Sequence, residues 1–314
     1  MPVIANNARF PVRNWAEYNE SLVARGSITL WFDEEALQAW YHTNPTCKRG
    51  HPFRYSDSTI ELFLTIREVL RLPYRQTEGF IRGILELIQP GLDVPDFTSA
   101  AKRAAKLGIA LPVIPRVGNI DVVLDSTGLK VFGEGEWKVR QHGPSKRRTW
   151  RKLHLAIDPK TREILAETLT TNGGHDGDQA AELLDAVPAK IATVTGDAAY
   201  DQWKVYAKIN ERKAKPCIAP RHDAKIKRHG NLAGPRLARD ETIRQIRRLG
   251  RKRWKKKSGY HRRSLAETTF FRLKTIFGPK LKNRRFENQR TEARLRCRIL
   301  NHFTRSRRVP FGSN

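Results

Sequence analysis

Acidic side chains are scarce in this chain. Of its 314 residues, 32 are Asp or Glu against 60 Lys or Arg, which leaves a formal net charge of +28. An excess that large opposes compaction unless a polyanion neutralises it. Long apolar runs are also missing: nothing approaches the ~20 consecutive apolar residues that span a bilayer. The opening "MPVIANNARFPVRNW" lacks the apolar core of a signal peptide. Cysteine is rare and scattered, at Cys47, Cys217 and Cys297, with no CxxC pair. That excludes a disulfide framework and a cysteine zinc site. The expectation is a soluble protein of a reducing compartment, cytoplasmic, with nucleic acid as its first partner, because Lys and Arg release counterions from phosphates. An anionic membrane surface is the second candidate.

Hydrophobic residues make up 39% of the chain, enough for a packed core. Residues 15–108 read as helices with polar breaks. "DSTIELFLTIREVLRL" (57–72) opens on Asp57 or Ser58 as N-cap and repeats its apolar residues at helical spacing. "RQTEGFIRGILELI" (75–88) follows Pro73, and "FTSAAKRAAKLG" (97–108) follows the breaker "QPGLDVPD". Helix, turn and small basic helix form a candidate helix-turn-helix reader. On that reading Ser99, Lys102, Arg103 and Lys106 lie on the exposed side, Lys102 and Arg103 as DNA contacts. Plain helix packing explains the same pattern.

The pattern changes near Pro115. "IDVVLDSTGLKVF" (120–132) is rich in β-branched residues and reads as a strand ending functionally at Asp125. "RKLHLAID" and "EILAETLTT" form a hairpin around "DPKTR". "DGDQAAELLDAV" (176–187) is a helix, "KIATVTGDAAYD" (190–201) a strand ending in Gly-Asp, "QWKVYAKINERK" a helix and "PCIAP" a short strand. The order β-β-β-α-β-α-β-α predicts an α/β fold, a mixed sheet with helices on its faces. The expected division is a helical region, 1–114, as the DNA-end binder, then a catalytic domain, 115–314, with a basic C-terminal helical segment. Within that segment "RRLGRKRWKKKS" (247–258) reads as a solvated loop or helix end.

Where acids are scarce their positions are informative. Asp125 and Asp197 both fall at strand ends, where open α/β sheets place ligands. Taken singly, an Asx turn and a helix cap explain them as well. Glu267 stands alone among bases in "GYHRRSLAETTFFRLK" (259–274). At ~100° per residue, Tyr260, Arg263, Glu267 and Lys274 fall in a stripe about 60° wide. Leu265, Thr269, Phe270, Leu273, Ile276 and Phe277 take the opposite side, while Phe271 falls near Glu267. The plain alternative is a solvated face with Arg263 and Glu267 as an i,i+4 pair. Three carboxylates on two strand ends and a helix can hold two hard cations, Mg²⁺ or Mn²⁺, for phosphodiester chemistry.

"Y-x2-R-x3-E-x6-K", here Tyr260, Arg263, Glu267 and Lys274, resembles the signature of DDE transposases of bacterial insertion sequences, nearest the insertion-sequence-five-like family. "DVVLDSTGLKVFGEGEWKVRQHGPSKRRTWRKLHLAID" and "TGDAAYD" are similar to further family blocks. The resemblance runs from about residue 10 to 305. It implies a ribonuclease-H-like core and a transposase that binds terminal inverted repeats, cleaves at the ends and joins them to target DNA. It implies Asp125, Asp197 and Glu267 as the catalytic triad and metal ligands, with two ions per site. Tyr260, Arg263 and Lys274 would lie around the DNA end. A bacterial, nucleoid-associated location follows, with a homodimer or higher oligomer in a synaptic complex.

Other residues are weighed beside these. Asp121 would share the face of Asp125, as a further ligand or as strand-edge polarity. His142, His154 and His175 fit no ligand spacing. Asp176 or Asp178 in "GGHDGD" is the expected cap of the next helix. Arg147 and Arg148 in "KRRTWRK" are candidate phosphate contacts. Trp254 either stacks on an unpaired base or anchors its segment. Two other functions compete: a non-catalytic DNA-binding protein derived from a transposase, and a tyrosine recombinase using Tyr260. The intact acids favour metal chemistry over both.

Overall fold

The computed structural model describes residues 15–23, 26, 32, 34–43, 52–88, 91–111, 118–131, 150–228 and 237–305. Helices α1 (Trp15–Val23), α2 (Glu34–Gln38), α3 (Asp57–Val69), α4 (Tyr74–Ile88) and α5 (Phe97–Ala104) come first. The sheet is built from β1 (Ile120–Val131), β2 (Trp150–Ile157), β3 (Ile164–Thr171), β4 (Ile191–Gly196), β5 (Lys215–Ile218) and β6 (Lys280–Leu281). Its helices are α6 (Asp176–Ala186), α7 (Trp203–Glu211), α8 (Ala238–Leu249), α9 (Arg251–Lys257), α10 (Ser264–Phe277) and α11 (Phe286–Arg305).

The strand order is β3-β2-β1-β4-β5, with β6 also on β1. β1, β2 and β3 run antiparallel; β4 and β5 run parallel to β1. This is a ribonuclease-H-like mixed sheet flanked by helices. Alternation along the strands feeds two cores. Val123, Leu129, Leu153 and Leu155 pack with Ile60, Phe63, Phe270 and Leu300. Val122, Leu124 and Ala156 pack on the other face with Leu183, Leu184, Val205 and Ile209. The N-terminal helices therefore share a core with the sheet, and the expected boundary near residue 115 falls outside the described residues.

Helix α11 is the spine of the first core. Its buried Arg296 holds Glu68 of α3 at 2.9 Å and also pairs with Glu292. Its Asn301 clips the edge of β3, accepting from Ile164 N and donating to Ile164 O, both at 2.7 Å. That closes one end of an edge that would otherwise be open for pairing.

Two expectations on element ends are corrected. Ser56, not Asp57 or Ser58, caps α3, accepting from Thr59 N at 3.1 Å. β1 does not stop at Asp125 but runs on to Val131, because β2 stays paired with it as far as Lys130↔Trp150. What stops beside Asp125 is the neighbour β4, paired with β1 only through Val123↔Thr195. β6 takes up that edge again at Lys130. Between the two, one side of β1 is open.

Candidate active site

The gap in that edge positions the site. Val123 lies opposite Thr195 in a parallel pairing, so two residues further on Asp125 comes level with Asp197. Asp125 and Thr127 share the face covered by α10. The glycine before Asp197 lets the Tyr200 side chain pack closely: a Cβ on Gly196 would lie 3.0–3.2 Å from it and push it aside. Asp197 Oδ1 accepts from Ala199 N at 2.9 Å, so the helix-cap reading of this residue is realised. Among the described residues no donor is placed on its other oxygen.

Arg263 joins the acids. Its guanidinium donates to Asp125 Oδ2 at 3.0 Å and to Glu267 Oε1 at 2.5 Å. The i,i+4 pair expected as the plain alternative is present, and the same side chain reaches the strand as well. Burial would lower the pKa of Arg263, but Asp125, Tyr260, Glu267 and Asp197 outweigh it and raise it. Lys274, two turns along α10, donates to Thr127 Oγ1 at 2.7 Å, and burial pushes its pKa down. Asp125 is pushed up to about 6, chiefly by burial; the Ser126 N–H and Arg263 oppose this, and Asp197 and Glu267 add to it. Glu267 itself stands 59% exposed at the mouth of the site.

The expected four-residue stripe is broken at its start. Gly259, at φ 73°, ends the preceding helix, and Tyr260–Arg263 form a 3-10 turn before α10. Tyr260 is buried against Trp254, ring centroids 5.5 Å apart, and burial raises its pKa. Both features disfavour Tyr260 as a nucleophile. Trp254 is 3% exposed, so it is an anchor and is closed to base stacking. Arg103 is not on the exposed side: it points inward to Asp57 and Tyr55 O, 4.5 Å over the Phe53 ring. Lys102 and Lys106 are exposed as expected, and Ser99 is half-buried. Arg147, Arg148 and His142 lie outside the described residues.

Asp121 pairs with Arg262, the strand-edge role. Neither Asp176 nor Asp178 caps α6; the N-cap is His175, without a side-chain bond. Asp178 pairs with Lys204. Asp176 instead sits behind the site, bonded by Lys152 Nζ at 2.8 Å, with His154 Nδ1 at 3.1 Å. Burial would raise its pKa, but hydrogen bonds from His154, Lys152 and Ser126 hold it well below the usual carboxylate range. His154 is fully buried, its Nε2 on Thr170 Oγ1 at 2.9 Å. This cluster, directly behind Asp125 through Ser126, went unread in the sequence. Its members are far apart in sequence, Lys152 and His154 alternating along β2 and Asp176 opening α6, so no local motif marks it.

The donor set, three carboxylates, suits a hard divalent cation. Among the described residues no three such groups are gathered closely enough to hold an ion as they stand. Arg263, seated between Asp125 and Glu267, carries the positive charge there, which fits a place built for a cation.

Fold and site together define a class: a ribonuclease-H-like protein with two aspartates at the switch point of the sheet and a glutamate on the helix over it. Within that class, residues 118–302 match the family described as "Transposase DDE domain", and residues 23–134 match a second family of the same description. The chain belongs to the DDE transposase domain family. It is similar to a solved structure titled "Cryo-EM structure of piggyBac transposase synaptic complex with hairpin DNA", at 11% identity and a TM-score of 0.37. That match covers 90% of this chain and 75% of the other. No described helix is long and apolar enough to cross a membrane.

Proposed function

We propose that this transposase binds the ends of its element and cleaves and joins DNA phosphodiesters at Asp125, Asp197 and Glu267, with Mg²⁺ or Mn²⁺ as cofactor, two ions per site. The single observation that supports this most is the strand register, which sets Asp125 beside Asp197 under the helix that carries Glu267. When bound, such ions make a water or a 3′-hydroxyl nucleophilic and stabilise the leaving oxygen. The residues around them have separable tasks. Arg263 exchanges its contacts with Asp125 and Glu267 for a phosphate oxygen as DNA arrives. Lys274, held against Thr127, fixes a second phosphate oxygen. Tyr260 keeps Arg263 in place from below. Lys102 on α5 and Arg147 and Arg148 contribute backbone contacts. The signature fits an insertion-sequence-five-like element, and a synaptic dimer or higher oligomer follows from the need to hold two ends.

A non-catalytic DNA-binding protein would have no need of two aspartates set level on adjacent strands beneath a helix that carries a glutamate. The test is cleavage of a labelled element end in Mg²⁺ beside a gel shift on the same DNA. Asp197→Asn and Glu267→Gln are expected to bind as wild type and fail to cut. Near-normal cutting by either variant would refute the assignment.

A further inference from the structure

The site's strongest neighbour is the helix pair α8 and α9, which sequence reading treated as solvated. From Thr242 to Ala266 the chain contains no Asp or Glu. Arg247, Arg248, Lys252, Arg253, Lys256 and Lys257 are all exposed, and among the described residues none of them pairs with a carboxylate. Exposed cations elsewhere are interleaved with acids, as in Arg82–Glu78, Lys204–Asp178 and Arg298–Glu61. α9, "RKRWKKK", sets like charges at i and i+4, which costs a short helix a few tenths of a kcal/mol per pair.

Despite that repulsion the pair is fastened rigidly, and at both sides of the site. Arg239 of α8 forks onto Asp201, Nε to Oδ1 at 2.6 Å and Nη2 to Oδ2 at 2.9 Å, four residues past Asp197. Asp201 is buried and also accepts from Arg221 N at 3.0 Å. Asp240, fully buried, accepts from Lys227 N at 3.1 Å and Arg228 N at 2.8 Å. On the other side Trp254 packs with Tyr260, Cys217 and Ala219, and Arg251 donates to Pro220 O. Tyr260 opens the turn that ends in Arg263. A merely solvated face has no need of such anchors.

We propose that α8 and α9 form a docking surface for the phosphate backbone of duplex DNA, fixed to both loops of the carboxylate site so that the bound strand is presented to it. The proposal builds on reading that site as one acting on DNA. A linear polyanion is the partner that matches a stripe of unpaired cations, and each phosphate neutralised steepens the salt dependence of binding by roughly 0.9 in log–log slope.

The experiment compares two quadruple variants of the full chain on one fluorescent duplex across a salt series. The first is Lys252→Gln, Arg253→Gln, Lys256→Gln and Lys257→Gln. The second makes the same charge change at Lys160, Lys190, Lys213 and Lys215. All four are exposed, and the hairpin turn and strand starts carry them at the end of the sheet away from Asp125. The first set is expected to flatten the slope by about 3.6, four cations at roughly 0.9 each, and weaken binding at least about 10²-fold at 0.1 M salt. The second set is expected to change either little. Gln is a good helix former and removes repulsion, so melting of the first variant should match or exceed wild type. Equal losses in both sets, or no loss in the first, would overturn the proposal. So would an unchanged duplex affinity with lost binding to anionic lipid vesicles. Stabilisation by Mn²⁺, measured on the same proteins, reports the carboxylate site alone. Its absence in wild type would sink the reading of that site and leave the docking result standing.

Discussion

Asp125→Asn should make the protein more stable in the presence of a chelator, while removing its function. Asp125 titrates at about 6 in the folded chain against an ordinary 3.8, chiefly because burial disfavours its charge. The folded chain thus binds the proton more tightly than the unfolded chain. Ionised Asp125 then favours unfolding. The cost is absent below about pH 4, grows between about 4 and 6 and is complete above that. Two pH units and a little more, at about 1.4 kcal/mol each, give about 3 kcal/mol. Asparagine matches the uncharged form in shape and keeps an oxygen for Arg263 Nη1. At pH 8 in a chelator, Asp125→Asn should therefore melt about 6 °C above wild type, taking about 2 °C per kcal/mol for a chain of this length. At pH 4 the two should coincide. Added Mn²⁺ should raise the melting temperature of wild type and leave the variant unmoved. Scanning calorimetry at both pH values, with and without ion, decides the matter. An Asp125→Asn protein no more stable than wild type at pH 8, or one stabilised equally by Mn²⁺, would refute the reasoning.

The strands were legible because β-branched runs such as "DVVL" and "TVT" sit between turn residues and face two cores. The pair of aspartates was legible because acids are rare and each stands beside turn chemistry. What a sequence does not carry is the identity of the neighbour. The strand over 120–132 was legible, but nothing in "VLDSTGLK" tells that β4 leaves β1 at Val123 while β2 stays to Lys130, so Asp125 was placed at the strand's end instead of at its neighbour's. Arg103 was misread for the same reason, and of the two readings of Trp254 the neighbours select the anchor. A charge on a short helix looks exposed until Asp57 and Phe53 are found beneath it. A Trp in a basic run looks free until Tyr260 and Cys217 cover it. Helical phase held from Arg263 to Lys274, but Gly259 and the 3-10 turn shift Tyr260 out of register with them.

Other consequences can be measured separately. Arg296→Ala should destabilise the fold by about 3 kcal/mol, since it removes the buried guanidinium between two buried glutamates, leaving Arg67 as the cation on Glu68 and neutral donors on Glu292; a loss of stability under about 1 kcal/mol in urea unfolding would mean the network is not buried in solution. Tyr260→Phe should keep most cleavage and give no change in protein–DNA adducts on denaturing gels; a covalent adduct in wild type that vanishes in the variant would restore the recombinase reading. The last concerns Arg263, whose guanidinium would compete with a divalent ion for the same oxygens of Asp125 and Glu267 if these are the proposed ligands. Arg263→Gln should therefore bind Mn²⁺ more tightly than wild type when no DNA is present. Each charged hydrogen bond given up is worth about 1.5–3 kcal/mol, but Glu267 is 59% exposed and water screens its share. A net of about 1–2 kcal/mol, or roughly 5–30-fold in affinity, remains. The titration belongs at pH 8.5, because losing Arg263 also lets Asp125 hold its proton to higher pH, which works against the ion near neutrality. With an element end bound, wild-type Arg263 has a phosphate to turn to and the difference should shrink, so that DNA strengthens ion binding in wild type and hardly at all in Arg263→Gln. Weaker Mn²⁺ binding by Arg263→Gln without DNA at pH 8.5 would mean that Arg263 supports the carboxylates instead of competing for them.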